Sequence, residues 1–143
     1  MGVDSGEGLD LERFVDAQAG VYERVCGELR AGRKQSHWMW FVFPQIRGLG
    51  SSEMAVRYAI SSLEEAKAYL RHDVLGVRLR ECAGILVGVQ GRTVEEIFGY
   101  PDDLKFHSSM TLFAKAAEEE GVFQEALGKY FGGAMDGGTL ERL

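Results

Sequence analysis

Cysteine is scarce in this sequence, with Cys26 and Cys82 the two present in 143 residues. They are far apart in the chain, so no closely spaced pair of the kind that binds zinc exists. Both lie in mostly apolar segments with helical periodicity, which predicts buried free thiols that pack as small hydrophobic groups. A chain of this kind is typical of a reducing compartment, and we expect a cytoplasmic protein.

Long apolar runs are also absent. No window approaches the ~20 apolar residues that a transmembrane helix requires. The first ten residues are acidic and rich in glycine, and they lack the basic start and apolar run of a signal peptide. We expect residues 1–9 to form a disordered acidic tail and residues 10–143 to form a single domain without membrane contact.

Basic residues are also fewer than acidic ones. Sixteen Lys and Arg stand against 22 Asp and Glu, which gives a net charge of −6. This balance argues against non-specific binding of DNA or RNA, which depends on neutralising phosphates. The 45% hydrophobic and 27% charged composition is that of a globular protein rather than a disordered one.

Signals for β-structure are few, since the sequence has no Asn-Gly hairpin and no series of alternating strands. Apolar residues instead recur at steps of three and four, and capping patterns such as Thr93 with Glu96 mark helix starts. The predicted helices cover residues 10–31, 51–60, 62–72, 73–91, 93–99, 104–120 and 122–131. We therefore predict an all-α protein, a compact bundle of about six to seven helices with no substantial sheet.

Caps and stops set the ends of these predicted helices. Asp10 and Asp73 are candidate N-caps of the first and fourth helices, and Ser62 with Glu65 has the capping-box pattern at the start of the third. The last ten residues are rich in glycine. They offer Asp136, Thr139 and Leu140 as candidate docking points.

One apolar run, residues 38–43, does not fit the helical pattern, because its propensity alone favours a strand. A lone strand has no ladder partner, so its backbone polar groups would be left unsatisfied in a core. We expect a short helix or an ordered buried loop here.

Familiar catalytic and cofactor motifs are absent. The sequence has no Walker-type loop, no Rossmann fingerprint and no G-x-S-x-G elbow. Its three histidines, His37, His72 and His107, are dispersed, so we expect no closed zinc site. A Mg²⁺ ion bound partly by Asp102 or Asp103 and partly by a ligand phosphate needs few protein carboxylates and remains an alternative.

The segment around residues 33–57 concentrates positive charge beside aromatic residues. It holds four basic residues and one acid, so it carries +3 while the remaining chain carries −9. Such a patch suits an anionic, ring-containing ligand, with a tryptophan for stacking and Ser36 or Gln45 for orienting hydrogen bonds. The competing interpretation is that the tryptophans are core anchors and His37 is a hydrogen-bonded boundary residue.

A second segment, residues 102–111, combines acids, a lysine and hydroxyls. Asp102 or Asp103 is a candidate helix cap, which accounts for the acids without any function. The hydroxyls are less easily explained, because serine and threonine are mediocre helix formers. They would line a polar pocket or anchor a phosphate. Across both segments the candidate catalytic residues are His37, Asp103, Lys105 and Ser108, and the candidate ligand-binding residues are Lys34, Ser36, Trp38, Trp40, Gln45, Ser109 and Thr111.

The stretch Ser36-His37-Trp38-Met39-Trp40-Phe41, together with residues 98–113, 14–18 and 72–79, closely resembles a family known by its domain of unknown function, DUF1810, whose members are often labelled calpastatin. The resemblance covers residues 11–140. It implies a mostly helical fold and no established activity. True calpain inhibitors are long disordered repeat proteins, so the globular composition here argues against calpain inhibition.

Two hypotheses follow from these segments. In the first, residues 34–45 and 102–111 meet over a helical scaffold and bind an anionic or nucleotide-like small molecule, with hydrolysis of a phosphate or N-glycosidic bond as the reaction class to test. In the second, the protein is a non-enzymatic interaction module, whose aromatic residues form the core and whose partner binds an exposed patch.

Overall fold

Ten helices account for the regular structure of residues 10–143, which are the residues that the computed structural model describes. They are α1 (Glu12–Gln18), α2 (Tyr22–Arg30), α3 (Met39–Val42), α4 (Glu53–Arg57), α5 (Leu63–Arg71), α6 (Leu75–Gly88), α7 (Val94–Phe98), α8 (Asp102–Ala116), α9 (Val122–Phe131) and α10 (Gly137–Leu140). These residues contain no strand, only an isolated parallel bridge between Ile46 and Ile60. The all-α prediction is confirmed. The predicted tail, residues 1–9, lies outside the described residues.

The predicted number of six to seven helices is wrong for two physical reasons. The first predicted helix is broken at Gly20, which adopts φ +81°, a conformation that ends α1 before α2 begins. Two very short helices also form where the sequence showed no helical period. One is α3, inside the apolar run, as the expectation of a short helix or ordered loop allowed; the other is α10 in the glycine-rich terminus.

Side-chain caps behave differently at the predicted helix starts. Thr93 and Glu96 form the complete capping box at α7, with the Thr93 amide donating to Glu96 over 2.9 Å. Ser62 accepts from the Glu65 amide as predicted, but the Glu65 carboxylate accepts from the amide of Ser61. The capping box predicted at α5 is therefore only half formed.

The predicted aspartate caps at Asp10 and Asp73 are wrong. Leu11 and Val74 occupy the N-cap positions of α1 and α6, and neither provides a side-chain cap. At α6 the Nδ1 atom of His72 accepts from the amides of Val74 and Leu75 instead. An imidazole thus takes the place of the expected carboxylate.

The core is built around two long helices. Helix α6 packs against α2, α5 and α9, and α8 packs against α5, α7, α9 and α10. Aromatic rings join these layers; the Tyr69 ring lies 5.2 Å from Phe14 and 5.3 Å from Phe113. No helix within residues 10–143 has the length and apolar character needed to cross a bilayer. The division of the chain into a tail and one domain stays a prediction.

Both cysteines are buried and free, as predicted. Burial is the main reason that the pKa of Cys82 rises to about 12, and the nearby Cys26 adds to the effect. A thiol with so high a pKa is almost entirely un-ionised at neutral pH, and the thiolate is the nucleophilic form. Because both side chains are buried, both residues act as packing groups between α2 and α6.

A buried amide ties the first helix to the aromatic segment. Gln18 is 2% exposed, and its Nε2 atom donates to the Phe41 carbonyl over 2.8 Å and to the Tyr69 hydroxyl over 3.3 Å. Its Oε1 atom accepts from Arg78. Because a buried amide is costly unless hydrogen-bonded, this network fixes α3 against α1, α5 and α6.

The close packing of α5 and α6 gives a stability prediction at Gly76. A Cβ atom there would lie 2.1 Å from the Leu70 carbonyl oxygen, so Gly76→Ala forces the two helices apart. We expect a loss of about 2 kcal/mol or more in the free energy of unfolding. Urea denaturation followed by circular dichroism measures it.

Gly84 in the same helix is the matched control. A Cβ atom at Gly84 meets nothing closer than a Val122 methyl at 4.0 Å. Gly84→Ala should therefore stabilise the protein by about 0.5–1 kcal/mol, because alanine is the better helix former. Equal effects of the two substitutions would contradict the packing described here.

Candidate ligand-binding site

The two unusual segments of the sequence meet at the start of α8. The Lys34 ammonium lies 2.9 Å from Asp102 Oδ2, and the Lys105 ammonium lies 3.5 Å from Asp102 Oδ1. The backbone amide of Lys34 also donates to the Ile97 carbonyl over 2.8 Å. We call Lys34, Asp102 and Lys105 the lysine–aspartate cluster. It joins residues 34–45 to residues 102–111.

Each lysine of the cluster also lies over a tryptophan. The Lys34 ammonium is 5.1 Å from the ring centroid of Trp38, and that of Lys105 is 5.5 Å from Trp40. The two pairs differ in exposure. Trp38 is 2% exposed and the Lys34 side chain 8%, whereas Trp40 is half-buried and the Lys105 side chain is 27% exposed. Lys105 and Trp40 therefore form the solvent-facing side of the cluster.

Asp102 acts as an ion-pair partner and not as the predicted helix cap. Pro101 occupies the N-cap position of α8 without a side-chain cap, and Asp102 and Asp103 both fall in the first turn. Carboxylates in a first turn are favoured by the helix dipole. Asp103 is 8% exposed, and its Oδ1 atom accepts from the Leu104 amide.

Glu28, on α2, holds the segment that carries Lys34. Its carboxylate accepts from the amides of Gln35 and Ser36 over 2.8 and 3.1 Å, and from the Trp38 indole over 2.8 Å. The Ser36 hydroxyl donates to it as well. Partial burial disfavours the charged carboxylate and raises its pKa. The hydrogen bonds stabilise the charged form more strongly, so the pKa of Glu28 is lowered to about 2. The predicted ligand residues Ser36 and Trp38 therefore have internal partners.

Aromatic packing continues from this segment into α8. The Phe43 ring lies 6.1 Å from Trp38 and meets Phe106 edge-on at 5.0 Å. Phe98 stacks on the same Phe106 ring at 4.9 Å. Offset and edge-on ring pairs of this kind add to the energy of burial, so they hold the aromatic segment against α7 and α8.

The predicted hydroxyl cluster of α8 contacts the C-terminal segment. Ser108 donates to Asp136 Oδ2 over 3.1 Å, and the Asp136 amide donates to Thr111 Oγ1 over 2.9 Å. Asp136 also caps α10 by accepting from Thr139. Burial raises the pKa of Asp136, but hydrogen bonds from Thr139 and Ser108 outweigh it and the pKa is lowered. The contacts with Ser108 and Thr111 confirm Asp136 as a docking point. Thr139 is fully buried and bonded to Asp136, whereas Leu140, the third predicted docking point, is 41% exposed.

Histidine and serine do not form a catalytic pair in α8. His107 Nε2 lies 2.8 Å from the Ala134 carbonyl, and its ring stacks on Phe131 at 3.9 Å. The Ser108 hydroxyl is shared between Asp136 and the Leu104 carbonyl. Ser109 is fully buried, and its hydroxyl finds no hydrogen-bond partner among residues 10–143.

The remaining predicted residues lie at or near the surface. His37 is exposed. Gln45 and Trp40 line a cavity of about 10 Å³, a volume that holds one water molecule at most. The carbonyl of Gln45 accepts from the Ile60 amide over 2.8 Å. A ligand at the lysine–aspartate cluster would therefore lie on the surface rather than in a closed pocket.

Metal binding has no obvious location in the described residues. Residues 10–143 contain no group of three or more His, Cys, Asp or Glu side chains arranged to hold a metal ion. Asp102, one of the two carboxylates considered for Mg²⁺, is occupied by the two lysines.

The family model described as Protein of unknown function (DUF1810) matches residues 8–143. The chain belongs to the DUF1810 family. A solved structure is also similar, the crystal structure of the conserved hypothetical protein Rv1873 from Mycobacterium tuberculosis. It is 64% identical, has a TM-score of 0.93, and the match covers 95% of this chain and 97% of that chain. The comparison with curated proteins finds no match.

Sequence reasoning missed Glu28, the residue of this DUF1810 chain that fixes the aromatic segment. In the sequence it is one of several polar residues on the outer face of an amphipathic helix. Its partners lie seven to ten residues further along, across the turn that ends α2. The only available signal was an acid placed shortly before a turn whose amides need acceptors.

Glu28 gives a pH-dependent stability prediction. Glu28→Gln should lower the free energy of unfolding at neutral pH by about 1.5–3 kcal/mol, because it removes hydrogen bonds to a charged acceptor. A lowered folded-state pKa stabilises the protein above the unfolded value of 4.5, and this contribution is lost as the pH falls toward about 2. The difference in the free energy of unfolding between wild type and Glu28→Gln should therefore become smaller as the pH falls from 4.5 toward about 2.

Urea denaturation at neutral pH and at acidic pH measures this gap. Glu23→Gln is the matched control, because Glu23 is an exposed acid of the same helix. A gap that stays constant down to about pH 2 would contradict the assignment to Glu28 ionisation.

Proposed function

We propose that this DUF1810 protein is a cytoplasmic binding protein for a small anionic molecule that carries a planar ring, of the nucleotide type. The proposed site is the outer side of the lysine–aspartate cluster, beside Trp40. The observation that supports it is the pairing of two ammonium groups with the single carboxylate of Asp102. The cluster therefore keeps one uncompensated positive charge.

The uncompensated charge is associated with Lys105 rather than with Lys34. The buried Lys34 ammonium makes the shorter contact with Asp102, 2.9 Å against 3.5 Å for Lys105. An ammonium has three donors, so Lys105 keeps donors for an anion. The other charged residues of the segment 33–57, Arg33, Arg47, Arg57 and Glu53, add a net charge of +2, which would attract an anion to a protein that is otherwise acidic.

Trp40 would supply the stacking surface for the ring. It is half-buried, and the Lys105 ammonium lies over its ring, 5.5 Å from the centroid. A ligand that stacks on this face would move the ammonium aside and hold it against its own phosphate. The interior position of Trp38 leaves Trp40 as the tryptophan for this role. A ligand with both a ring and a phosphate gains from stacking and from charge together.

Hydrolysis of a phosphate or N-glycosidic bond is the reaction class that we propose for this site if the bound molecule is turned over. The acid or base would be Asp103, next to Asp102 in the first turn of α8, or the exposed His37. Nuclear magnetic resonance spectra of the ligand over time detect the products. An unchanged ligand over days leaves the protein as a binder and removes hydrolysis from the proposal.

Three probes separate the two halves of the proposed ligand: ADP, adenosine and pyrophosphate. ADP at 100 times its dissociation constant should stabilise the protein by ~2.7 kcal/mol, which raises the Tm by several degrees. Adenosine and pyrophosphate should each bind more weakly, since each meets only Trp40 or only Lys105. Thermal unfolding and tryptophan fluorescence measure binding.

Lys105→Met tests the same site, because it keeps the aliphatic stem and removes the charge. We expect the ADP-dependent rise in Tm to fall sharply in this variant. Lys115→Met is the matched control, an exposed lysine in the last turn of the same helix. No response to any of the three probes, or equal losses in both variants, would rule out the proposed site.

The second proposed function is an interaction module, supported by a group of exposed apolar side chains. Tyr100 is 81% exposed and Leu104 is 52% exposed, both at the start of α8. Met135 and Leu140 are also exposed, in the segment that Ser108 and Thr111 hold against α8. Exposed apolar side chains close together in the chain, as Tyr100 and Leu104 are, are typical of contact surfaces for proteins.

A double substitution, Tyr100→Ser with Leu104→Ser, tests the module. Affinity capture with the wild type should yield a partner that this variant loses, because the partner would bury both side chains. Val77→Ser is the control, since Val77 is 62% exposed on α6. Retention of the same partners by the double variant would remove this function from consideration.

A further inference from the structure

A cleft of about 510 Å³ opens where α5, α6, the end of α8 and the start of α9 come together. Its volume is within the range of small-molecule sites, about 300–1,000 Å³. None of the residues considered for the lysine–aspartate cluster lines it. The cleft is therefore separate from the site proposed above.

One wall of the cleft is basic. Lys67 and Arg71 come from α5, and Arg80 comes from α6. Arg80 donates one hydrogen bond to the Leu70 carbonyl over 3.1 Å. The Lys67 ammonium lies 4.0 Å from Glu64 Oε2. Within residues 10–143, Arg71 makes no salt bridge. Most of the donors on this wall are free for a ligand.

A second part of the cleft lining is acidic, and a third part, which we call the floor, is apolar. Residues Glu118–Glu120, in the link between α8 and α9, line the cleft together with Val122, Leu70 and Phe123. Leu70 and Phe123 are 7% and 2% exposed. No salt bridge of 4 Å or less joins the basic wall to Glu118–Glu120 in the described part of the chain. Opposite charges thus line the same space without a direct ion pair between them.

We propose that this cleft binds a small zwitterion with an apolar body, of the class of free amino acids and short peptides. A carboxylate pairs with Arg71 and its basic neighbours, because the planar guanidinium matches a carboxylate with two hydrogen bonds. An ammonium group pairs with Glu118–Glu120, and the apolar side chain covers the floor. A simple anion or a simple cation would be attracted by one wall and repelled by the other, so a zwitterion alone gains from both walls.

Probes with the same hydrocarbon and different charges test this proposal. They are leucine, 4-methylpentanoate, which keeps only the carboxylate, and 3-methylbutylamine, which keeps only the ammonium. Dileucine and trileucine extend the separation of the two charges. Titrations of ¹⁵N-labelled protein, followed by amide chemical shifts, give the affinity and the location of each probe.

We expect shifts at residues 67–71 and 116–123 with leucine or one of its peptides, and at least about tenfold weaker binding of the two singly charged probes. Preference for leucine identifies a free amino acid as the ligand, and preference for a peptide identifies a peptide. Equal binding of 4-methylpentanoate, or no shifts in the cleft with any probe, would overturn the proposal.

Two variants separate the walls. Arg71→Gln and the triple change of Glu118, Glu119 and Glu120 to Gln should each weaken binding of the zwitterion about tenfold or more. Arg30→Gln, at an exposed position in the last turn of α2, is the control and should bind as the wild type does. Amide spectra of each variant show that it is folded. Unchanged affinity in either wall variant would contradict the assigned charge pairing.

Discussion

The arrangement of this DUF1810 chain depends on one carboxylate, that of Glu28. The residues that follow α2 turn back toward the core, and the amides of Gln35 and Ser36 and the indole of Trp38 all need acceptors there. Glu28 satisfies them together. An unsatisfied donor costs about 1–3 kcal/mol, so one side chain removes a penalty that would otherwise keep this segment out of the core.

The hydrogen bonds of Glu28 also determine how the residues after Ser36 pack. With its N–H group satisfied, Trp38 is buried with little polar cost, and it brings Phe43 against Phe106. Helix α8 is thereby fixed beside the aromatic segment, and Lys34 comes within 2.9 Å of Asp102. The ion pair is therefore a result of apolar packing guided by a hydrogen-bonded carboxylate. Attraction between the two charges alone does not determine where Lys34 and Asp102 meet.

Short-range sequence patterns predicted the features of the fold that depend on residues close together in the chain. The helical class follows from apolar spacing, and the box at Thr93 follows from two side chains three residues apart. The break at Gly20 was not predictable from spacing, because the apolar face continues through it with the same period. The roles of Ser108 and Asp136 depend on residues 28 positions apart in the chain, and no short-range pattern reports such a pair. The hypothesis that the two unusual segments meet came from residue types, and the contact of Lys34 with Asp102 shows that they touch. The ligand site that the hypothesis placed between them stays a proposal.

The polar groups of the two segments differ in how completely they are satisfied, and this difference narrows the search for function. Glu28 collects four donors and Asp136 collects three on a single oxygen, so both carboxylates are engaged in holding the fold. Asp102 meets two ammonium groups, and Lys105 keeps donors that face solvent. Saturated networks stabilise the fold, because any partner they lose leaves a buried group unpaired. The proposal of an anion site at this junction therefore rests on Lys105 and Trp40, the members whose contacts remain incomplete.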